Sequence, residues 1–332
     1  MGFEILPLSC QFDSSTVKTA LLVVNSLKDS AHYIQQRTLK EPLDPETSEA
    51  LPLKSATGEG PLRFVDAHVH LSDDEFARCV EEILEEARMA NVAALVSNSV
   101  DFATSMGNLE LAEKYPNLVF VALGIHPGSV KDLADGELER IVDLISKQKM
   151  NKSLVAIGEI GLDSKHANTW NDQFRIFGEM LHAAERTRLP IIVHSRGAAE
   201  QVLEMLPSYD LGKVLLHFFT GPTGIVFEAV ERGYYISEGP AAVYSEDIQE
   251  ILRKIPTENI LTETDGPIRF YKQPFNGKRT SPTFIPLVVK TIAEIKKTDV
   301  WSMAEKIAGN FERFFTLKLS LCPQAGSRND KI

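Results

Sequence analysis

The chain of 332 residues contains no uninterrupted apolar run of about 18 residues, so the sequence predicts no membrane-spanning helix. Its three cysteines, Cys10, Cys79 and Cys322, are far apart and show no CxxC spacing. We therefore expect a reducing compartment, with neither a disulfide framework nor a thiolate zinc site. Residues 1–6 lack a basic region followed by an apolar one, which makes the cytoplasm the expected location.

Basic residues are in deficit. The chain has 35 Lys and Arg against 46 Asp and Glu, which gives a net charge of −11. It therefore lacks the broad positive surface typical of proteins that bind duplex nucleic acid. A small phosphorylated substrate, or a strand end captured by a metal ion, remains compatible with this charge. The hydrophobic content of 43% is ordinary for a globular protein with a sizeable core.

Residues 1–62 differ from the rest of the chain. A cap at residues 13–16 precedes apolar residues at three- and four-residue steps from Val17 to Ile34, which predicts an amphipathic helix. Residues 38–62 are acidic and rich in proline and glycine, which indicates a linker. Three roles are open for this helix: packing on the main domain, forming a dimer contact or covering another surface. We interpret 1–62 as an N-terminal extension and 317–332 as a C-terminal tail.

From residue 63 onward, short runs rich in Val, Ile, Leu and Ala alternate with longer helical patterns. We predict strands at 63–68, 92–97, 118–123, 153–158, 189–194, 213–218, 233–238 and 259–264. We predict helices at 74–90, 137–149, 171–187, 197–206, 223–232, 245–254, 282–297 and 299–316. Eight βα units over 63–316 predict a (β/α)8 TIM barrel, which usually takes roughly 250 residues. A doubly wound sheet, the competing fold, would normally carry a glycine-rich turn where this chain has His70-Leu71-Ser72-Asp73.

Histidines and carboxylates follow the predicted strands at their carboxyl ends. His68 and His70 are two residues apart at the end of the first strand, so they share a face, roughly 6–7 Å apart along the backbone. Single residues of the same kind follow strands four, five, six and eight: Glu159, His194, His217 and Asp265. Because the carboxyl ends of barrel strands form one rim, we expect all six side chains to meet there.

Six such side chains exceed the needs of one catalytic zinc, which takes three protein ligands and an open position. We therefore predict two divalent cations, of zinc, manganese or magnesium. The predicted ligands of one ion are His68, His70 and Asp265, those of the other are His194 and His217, and Glu159 bridges the two. Such a pair generates hydroxide near neutral pH and holds the oxygens of an in-line displacement. Asp265 can also accept a proton from the water, so Asp265 and Glu159 are the predicted catalytic residues.

Six motifs occur in order along 63–316. They are Asp66-Ala67-His68-Val69-His70, Gly124-Ile125-His126-Pro127, Gly158-Glu159-Ile160-Gly161-Leu162-Asp163, Val193-His194-Ser195-Arg196, His217-Phe218-Phe219-Thr220-Gly221 and Glu263-Thr264-Asp265-Gly266-Pro267. On these motifs the chain resembles the TatD family of metal-dependent hydrolases, within the amidohydrolase-like barrels. The resemblance implies a (β/α)8 fold, one or two divalent metals and deoxyribonuclease-type phosphodiester hydrolysis, commonly of 3′ ends and single strands. The chain departs from the family pattern at Ser72, Gly128 and Thr220, none of which is a predicted ligand.

Four more residues are predicted substrate contacts. His126 ends the third strand, and Arg196 begins the helix after strand five, where an anion can be received. Plain structural hydrogen bonding is the alternative for His126, and a solvated cap is the alternative for Arg196. Lys278 and Arg279 belong to the most basic loop, 269–280, in which four cations alternate with three aromatics, as in surfaces that grip single strands. A long solvated loop is the alternative there.

The leading hypothesis is a metal-dependent phosphodiesterase that acts exonucleolytically on DNA. One alternative is a hydrolase of C–N or aminoacyl ester bonds from the wider superfamily. Many of those enzymes bridge their metals with a carbamylated lysine on strand four, where this chain has Glu159. Another alternative is a non-catalytic, metal-stabilised interaction protein with residues 1–62 as its arm. The sequence indicates no protein partner and no membrane association.

Overall fold

Eight strands form one sheet in which each strand lies parallel to the next one along the chain. The structure, a computed structural model, describes residues 62–319. The strands are β1 Phe64–Val69, β2 Val92–Asn98, β3 Val119–Leu123, β4 Leu154–Gly161, β5 Ile191–His194, β6 Val214–Leu216, β7 Tyr235–Glu238 and β8 Ile260–Thr262. Each overlaps its predicted range. Nearly every strand residue is buried, because helices cover the outside of the sheet while side chains fill its inside.

The end of β8 returns to β1, so that the sheet is nearly closed. The Thr262 hydroxyl donates a hydrogen bond to the Val65 carbonyl over 2.7 Å, and the Asp265 amide donates to the His68 carbonyl over 2.9 Å. Strand order and near-closure together confirm the predicted (β/α)8 TIM barrel. The closing contacts also bring the ends of β1 and β8 side by side at the carboxyl rim.

Ten α-helices connect and flank these strands within the described residues. They are α1 Asp74–Ala77, α2 Val80–Met89, α3 Phe102–Lys114, α4 Glu137–Gln148, α5 Trp170–Thr187, α6 Ala199–Met205, α7 Thr223–Glu231, α8 Glu246–Lys254, α9 Ile285–Lys296 and α10 Val300–Phe315. The predicted helix 74–90 is divided into α1 and α2 by a break at Arg78 and Cys79. Cys79 is disulfide-bonded in the structure, which the wide spacing of the cysteines along the chain did not predict.

Helix α3 is absent from the predicted set, and its buried face shows why. That face carries Ser105 and Asn108 as well as Ala112. The Asn108 side-chain oxygen accepts hydrogen bonds from the hydroxyls of Ser72 and Ser97, both over 2.6 Å. A helix that buries polar groups against polar groups has a weak apolar stripe, so hydrophobic periodicity does not reveal it.

None of the helices within residues 62–319 combines the length and the apolar character needed to cross a membrane. The predicted helix between Val17 and Ile34, the linker up to residue 61 and all but three residues of the predicted tail lie outside the described residues. The proposed domain boundaries therefore stay predictions.

Candidate metal centre

All six predicted metal ligands meet at the carboxyl rim of the barrel. His68, Glu159 and His217 are buried, whereas His70, His194 and Asp265 are partly exposed. A cavity of about 460 Å³ opens above them, and all of the six except His68 contribute to its wall. The fold thus brings together side chains that follow five different strands and are distant from one another along the chain.

Four donor atoms frame the first of two groups. The Nε2 atoms of His68 and His70 are 3.1 Å apart, and Asp265 Oδ1 lies 3.6 and 3.3 Å from them. Glu159 Oε2 lies 3.3 and 3.4 Å from the same two nitrogens. Four ligands at zinc–nitrogen bond lengths are about 3.3 Å apart from one another in a tetrahedron. The spacing of these atoms therefore fits one tetrahedral cation.

The second group lies around the other oxygen of Glu159. Oε1 is 2.7 Å from both His194 Nδ1 and His217 Nε2, and those nitrogens are 3.2 Å apart. His126 Nε2 lies 3.5 Å from the same oxygen, so this predicted substrate contact belongs to the wall of the second group. Each oxygen of Glu159 thus faces a different set of imidazoles, an arrangement that fits a carboxylate shared between two cations.

Partners behind the ligands fix which imidazole nitrogen faces the centre. His70 Nδ1 lies 3.1 Å from the Asn98 carbonyl, an acceptor, so Nδ1 carries a proton and Nε2 is the nitrogen that faces Glu159 and Asp265. His194 Nε2 lies 3.1 Å from Asp163 Oδ2, so this ring faces the centre with Nδ1 instead. Sequence reasoning missed Asn98; the available signal was its place at the end of β2.

Asp163 forms hydrogen bonds with several residues beside the second group of donor atoms. Its carboxylate is buried and accepts from the Arg196 guanidinium, with Nε 3.0 Å from Oδ2, and from the Lys165 amide over 2.9 Å. Burial raises the pKa of Asp163, but hydrogen bonds from His194 and Arg196 outweigh it and hold the pKa below its usual range. The ionised carboxylate fixes the orientation of His194. Arg196, a predicted substrate contact, lines the cavity while paired with Asp163.

Replacing Asp163 by asparagine is expected to weaken metal binding about 10- to 100-fold, because His194 loses the negatively charged acceptor that fixes its tautomer. Isothermal titration with Zn²⁺ measures the loss, and the position of the His194 ring signals in NMR reports the tautomer. Asp172→Asn, an exposed carboxylate on α5, is the control and keeps wild-type affinity. Unchanged affinity and an unchanged tautomer in Asp163→Asn would show that Asp163 does not orient the ring.

A buried carboxylate also lies behind His217. Glu263 Oε1 is 3.6 Å from His217 Nδ1, and Glu263 Oε2 accepts from the Ser237 hydroxyl over 2.5 Å. The His217 ring stacks on the His68 ring, with 3.9 Å between centroids. Sequence reasoning did not single out Glu263, although it shares the Glu263-Thr264-Asp265 segment with a predicted ligand.

The surroundings of the first group shift the pKa values of its two histidines in opposite directions. Burial lowers the pKa of His68 to about 4, and the neighbouring His217 contributes to this lowering, so the His68 ring is neutral near pH 7. Burial also lowers the pKa of His70, but the Asp265 and Glu159 carboxylates outweigh it and raise that pKa to about 10. Because a histidine ligand must be deprotonated, a cation that binds at His70 displaces a proton.

Backbone geometry brings the ends of the strands close together. Asp66, buried on β1, accepts from the amides of His68 and Thr264 over 3.2 and 3.1 Å, which joins the two segments that carry ligands of the first group. At the end of β4, a Cβ on Gly161 would lie 2.0 Å from the His194 carbonyl, so only glycine allows this approach of β4 to β5. Asp265 itself has a φ of 50°, a conformation that is uncommon outside glycine and clusters at functional sites.

The remaining predicted contacts lie apart from the cavity wall. Neither Lys278 nor Arg279 is among the residues that line it, whereas Arg269 of the same loop is. The Arg279 guanidinium lies 5.1 Å from the Phe76 ring centroid and donates to the carbonyl of Glu75. Arg269 is paired with the Glu75 carboxylate through two hydrogen bonds of 3.0 and 2.6 Å.

Fold and site together define a class: a (β/α)8 barrel that can hold divalent cations with histidines and carboxylates at its carboxyl rim. The model of the family described as TatD related DNase matches residues 65–316. The chain belongs to the TatD family of metal-dependent hydrolases, and the resemblance seen in its motifs is confirmed.

Individual relatives agree with this assignment. An uncharacterized metal-dependent hydrolase of Methanocaldococcus jannaschii, MJ1582, is 31% identical over 258 residues, which cover 78% of this chain and 99% of that protein. The human protein named deoxyribonuclease TATDN3 is 31% identical over 263 residues, which cover 76% of this chain and 94% of that protein. The crystal structure of the Escherichia coli TatD homologue YjjV superposes with a TM-score of 0.72 at 27% identity, and the match covers 77% of this chain and 99% of that one.

Proposed function

We propose that this hydrolase cleaves phosphodiester bonds of DNA with two divalent cations, held as the sequence predicts. The observation that carries the proposal is the position of Glu159, whose two oxygens face separate sets of imidazoles. His68, His70 and Asp265 would hold one ion, His194 and His217 the other, and Glu159 both. Zinc, manganese and magnesium fit such nitrogen and oxygen donors. When bound, a cation pair lowers the pKa of water and neutralises charge on the phosphate oxygens.

Asp265 is the carboxylate best placed to accept the proton of the attacking water. It lies at the cavity wall rather than beneath it, with 15% of its side chain exposed. Burial raises the pKa of Asp265, but its hydrogen bond with His70 and the nearby imidazoles outweigh burial and lower that pKa. The group is therefore ionised at neutral pH and able to take up a proton.

The cavity wall supplies groups suited to an anionic substrate. Arg196 and Arg269 contribute guanidinium groups from different sides of the barrel, after β5 and β8. His126 adds a ring next to Glu159; burial lowers the pKa of His126 to about 3, so it is neutral and can serve as a hydrogen-bonding group. A cavity of about 460 Å³ suits a nucleotide-sized group rather than a stretch of duplex, which supports action at strand ends.

The name of the human relative supports DNA as the substrate class. The C–N and aminoacyl ester alternative gains no support from the site, because β4 presents Glu159 where a carbamylated lysine would stand. A non-catalytic interaction protein would not need an open cavity above the donor atoms, whereas this chain has one. Exonucleolytic action and the cytoplasmic location stay predictions.

Removal of metal is expected to reduce hydrolysis to background, and its return is expected to restore it. The protein is treated with a chelator, reconstituted separately with Zn²⁺, Mn²⁺ and Mg²⁺, and assayed on 3′-labelled DNA, 5′-labelled DNA, a phosphodiester dye and an aminoacyl ester. We expect cleavage of the phosphodiesters alone, with two bound ions per chain by elemental analysis. Hydrolysis that persists after chelation, or cleavage of the aminoacyl ester alone, would contradict the proposal.

A further inference from the structure

The segment after β8, residues 266–281, forms a loop at the edge of the cavity; we call it the β8 loop. Pro267, Ile268 and Arg269 at its start line the cavity wall. The loop then extends away from the cavity and returns, so that Arg269 and Arg279 form an antiparallel bridge. The β8 loop therefore borders the cavity on this side.

Aromatic anchors hold this loop in place. Phe270 and Phe275 are buried, at 6% and 3% exposure, and their ring centroids are 5.9 Å apart. Phe275 also stacks on the Phe284 ring at 5.1 Å. Backbone hydrogen bonds close the loop, from the Gly277 amide to the Phe270 carbonyl over 2.9 Å and from the Thr280 amide to the Ile268 carbonyl over 3.1 Å. The outer face is therefore a fixed surface.

Tyr271 lies on the outer face of this loop, with one edge of its ring against Gly277 and most of the side chain exposed. It is 78% exposed, the highest value for an aromatic side chain within residues 62–319. Gly277 lies at one edge of the ring: a Cβ there would be 3.0 Å from the ring's Cδ1 and 3.1 Å from its Cε1. Gly277 has a φ of 74°, so both the turn and the close approach favour glycine. A ring that is held at one edge and otherwise exposed offers a face for stacking.

The β8 loop also carries two lysines. Lys272 and Lys278 belong to the β8 loop, and in the described part of the chain neither ammonium is within 4 Å of a carboxylate. Lys272 Nζ lies 5.2 Å from the Tyr244 ring centroid instead. Arg269, by contrast, is paired with Glu75. Positive charges without acidic partners suit an anionic ligand.

We infer that the β8 loop binds the single strand of nucleic acid that leads away from the cavity, with a base stacked on Tyr271 and phosphates near Lys272 and Lys278. An open aromatic face beside cations is how proteins hold single strands without reading their sequence. In a duplex the base faces are covered by neighbouring pairs, so the loop selects unpaired strands. This inference rests on the proposed function, because it assumes that a phosphodiester occupies the cavity.

Steady-state cleavage by the metal-loaded protein tests the inference. Substrates are a single strand of about 15 nucleotides, long enough to cross a stacking surface, and a dinucleotide that fills only the cavity. In Tyr271→Ala we expect the ratio of the two KM values, long strand to dinucleotide, to rise about tenfold at little cost in kcat. Tyr271→Phe keeps the ring and keeps the ratio. Met150→Ala, an exposed side chain in the connection before β4 at the opposite end of the barrel, is the matched control.

Binding to a phosphorothioate-linked single strand, followed by fluorescence anisotropy, separates this inference from the proposed function. We expect Tyr271→Ala to bind about tenfold more weakly, and Lys272→Gln with Lys278→Gln to flatten the dependence of affinity on salt by about 0.7 per lysine. Lys149→Gln with Lys152→Gln, before β4, controls for net charge. Equal affinities of wild type and Tyr271→Ala, or equal affinity for a duplex, would overturn the inference. Tyr271-dependent binding without metal-dependent cleavage would support it and overturn the proposed function instead.

Discussion

Glu159→Gln is expected to lower metal-dependent hydrolysis at least about 1,000-fold and to leave the protein with fewer bound ions. Glu159 is the one side chain among the described residues whose two oxygens approach both imidazole groups, at 3.3 and 2.7 Å. Burial raises the pKa of Glu159, but the surrounding histidines outweigh it and hold the pKa well below its usual range. An amide in its place supplies only one acceptor and no charge. Elemental analysis and kcat measured together on reconstituted protein test this prediction.

The matched control for Glu159→Gln is Glu137→Gln. Glu137 is also a largely buried carboxylate that accepts from two backbone amides, those of Phe102 and Ala134, but it does not line the cavity. We expect Glu137→Gln to lower thermal stability while it keeps its metal ions and kcat. If Glu159→Gln retained two ions and wild-type kcat, the bridging position of Glu159 would have no part in metal binding or catalysis.

Asp265→Asn is expected to lower kcat about 10²- to 10⁴-fold, the usual range for loss of a general base. The asparagine oxygen still faces His68 and His70, so we expect metal content to fall much less than kcat. Asp265 is ionised at neutral pH because its pKa is lowered, and its ability to accept a proton is lost as the pH falls through that pKa. We therefore expect an acidic limb in the wild-type pH profile and its loss from the residual activity of Asp265→Asn.

Asp299→Ala is the control, because we expect it to lower stability and to leave kcat unchanged. Asp299 caps helix α10 by accepting from the Ser302 amide over 2.8 Å, and loss of such a cap costs about 1 kcal/mol of stability. We expect a lower melting temperature with wild-type kcat in Asp299→Ala, and a lower kcat with little change of melting temperature in Asp265→Asn. Wild-type kcat and an unchanged pH profile in Asp265→Asn would assign the proton to another acceptor.

The barrel could be predicted from the sequence because its signals are local. In β5, for example, Ile191, Ile192 and Val193 form an apolar run that ends at His194, and this run alone indicates both the strand and its rim. Helix α3 gave no such signal, because Asn108 occupies its buried face and bonds to serines of other elements. The break between α1 and α2 at Cys79 was equally hidden within a continuous helical pattern.

By itself, the sequence determined the order of the strands and which ligand-type residues end them, because alternation along a strand and the common rim of a parallel barrel follow from backbone geometry. Only the tertiary structure decided which atoms face the centre. His70 presents Nε2 because Asn98 takes its other nitrogen, and His194 presents Nδ1 because Asp163 does the same. Side-chain orientation depends on partners distant along the chain, and a one-dimensional pattern carries no record of those contacts.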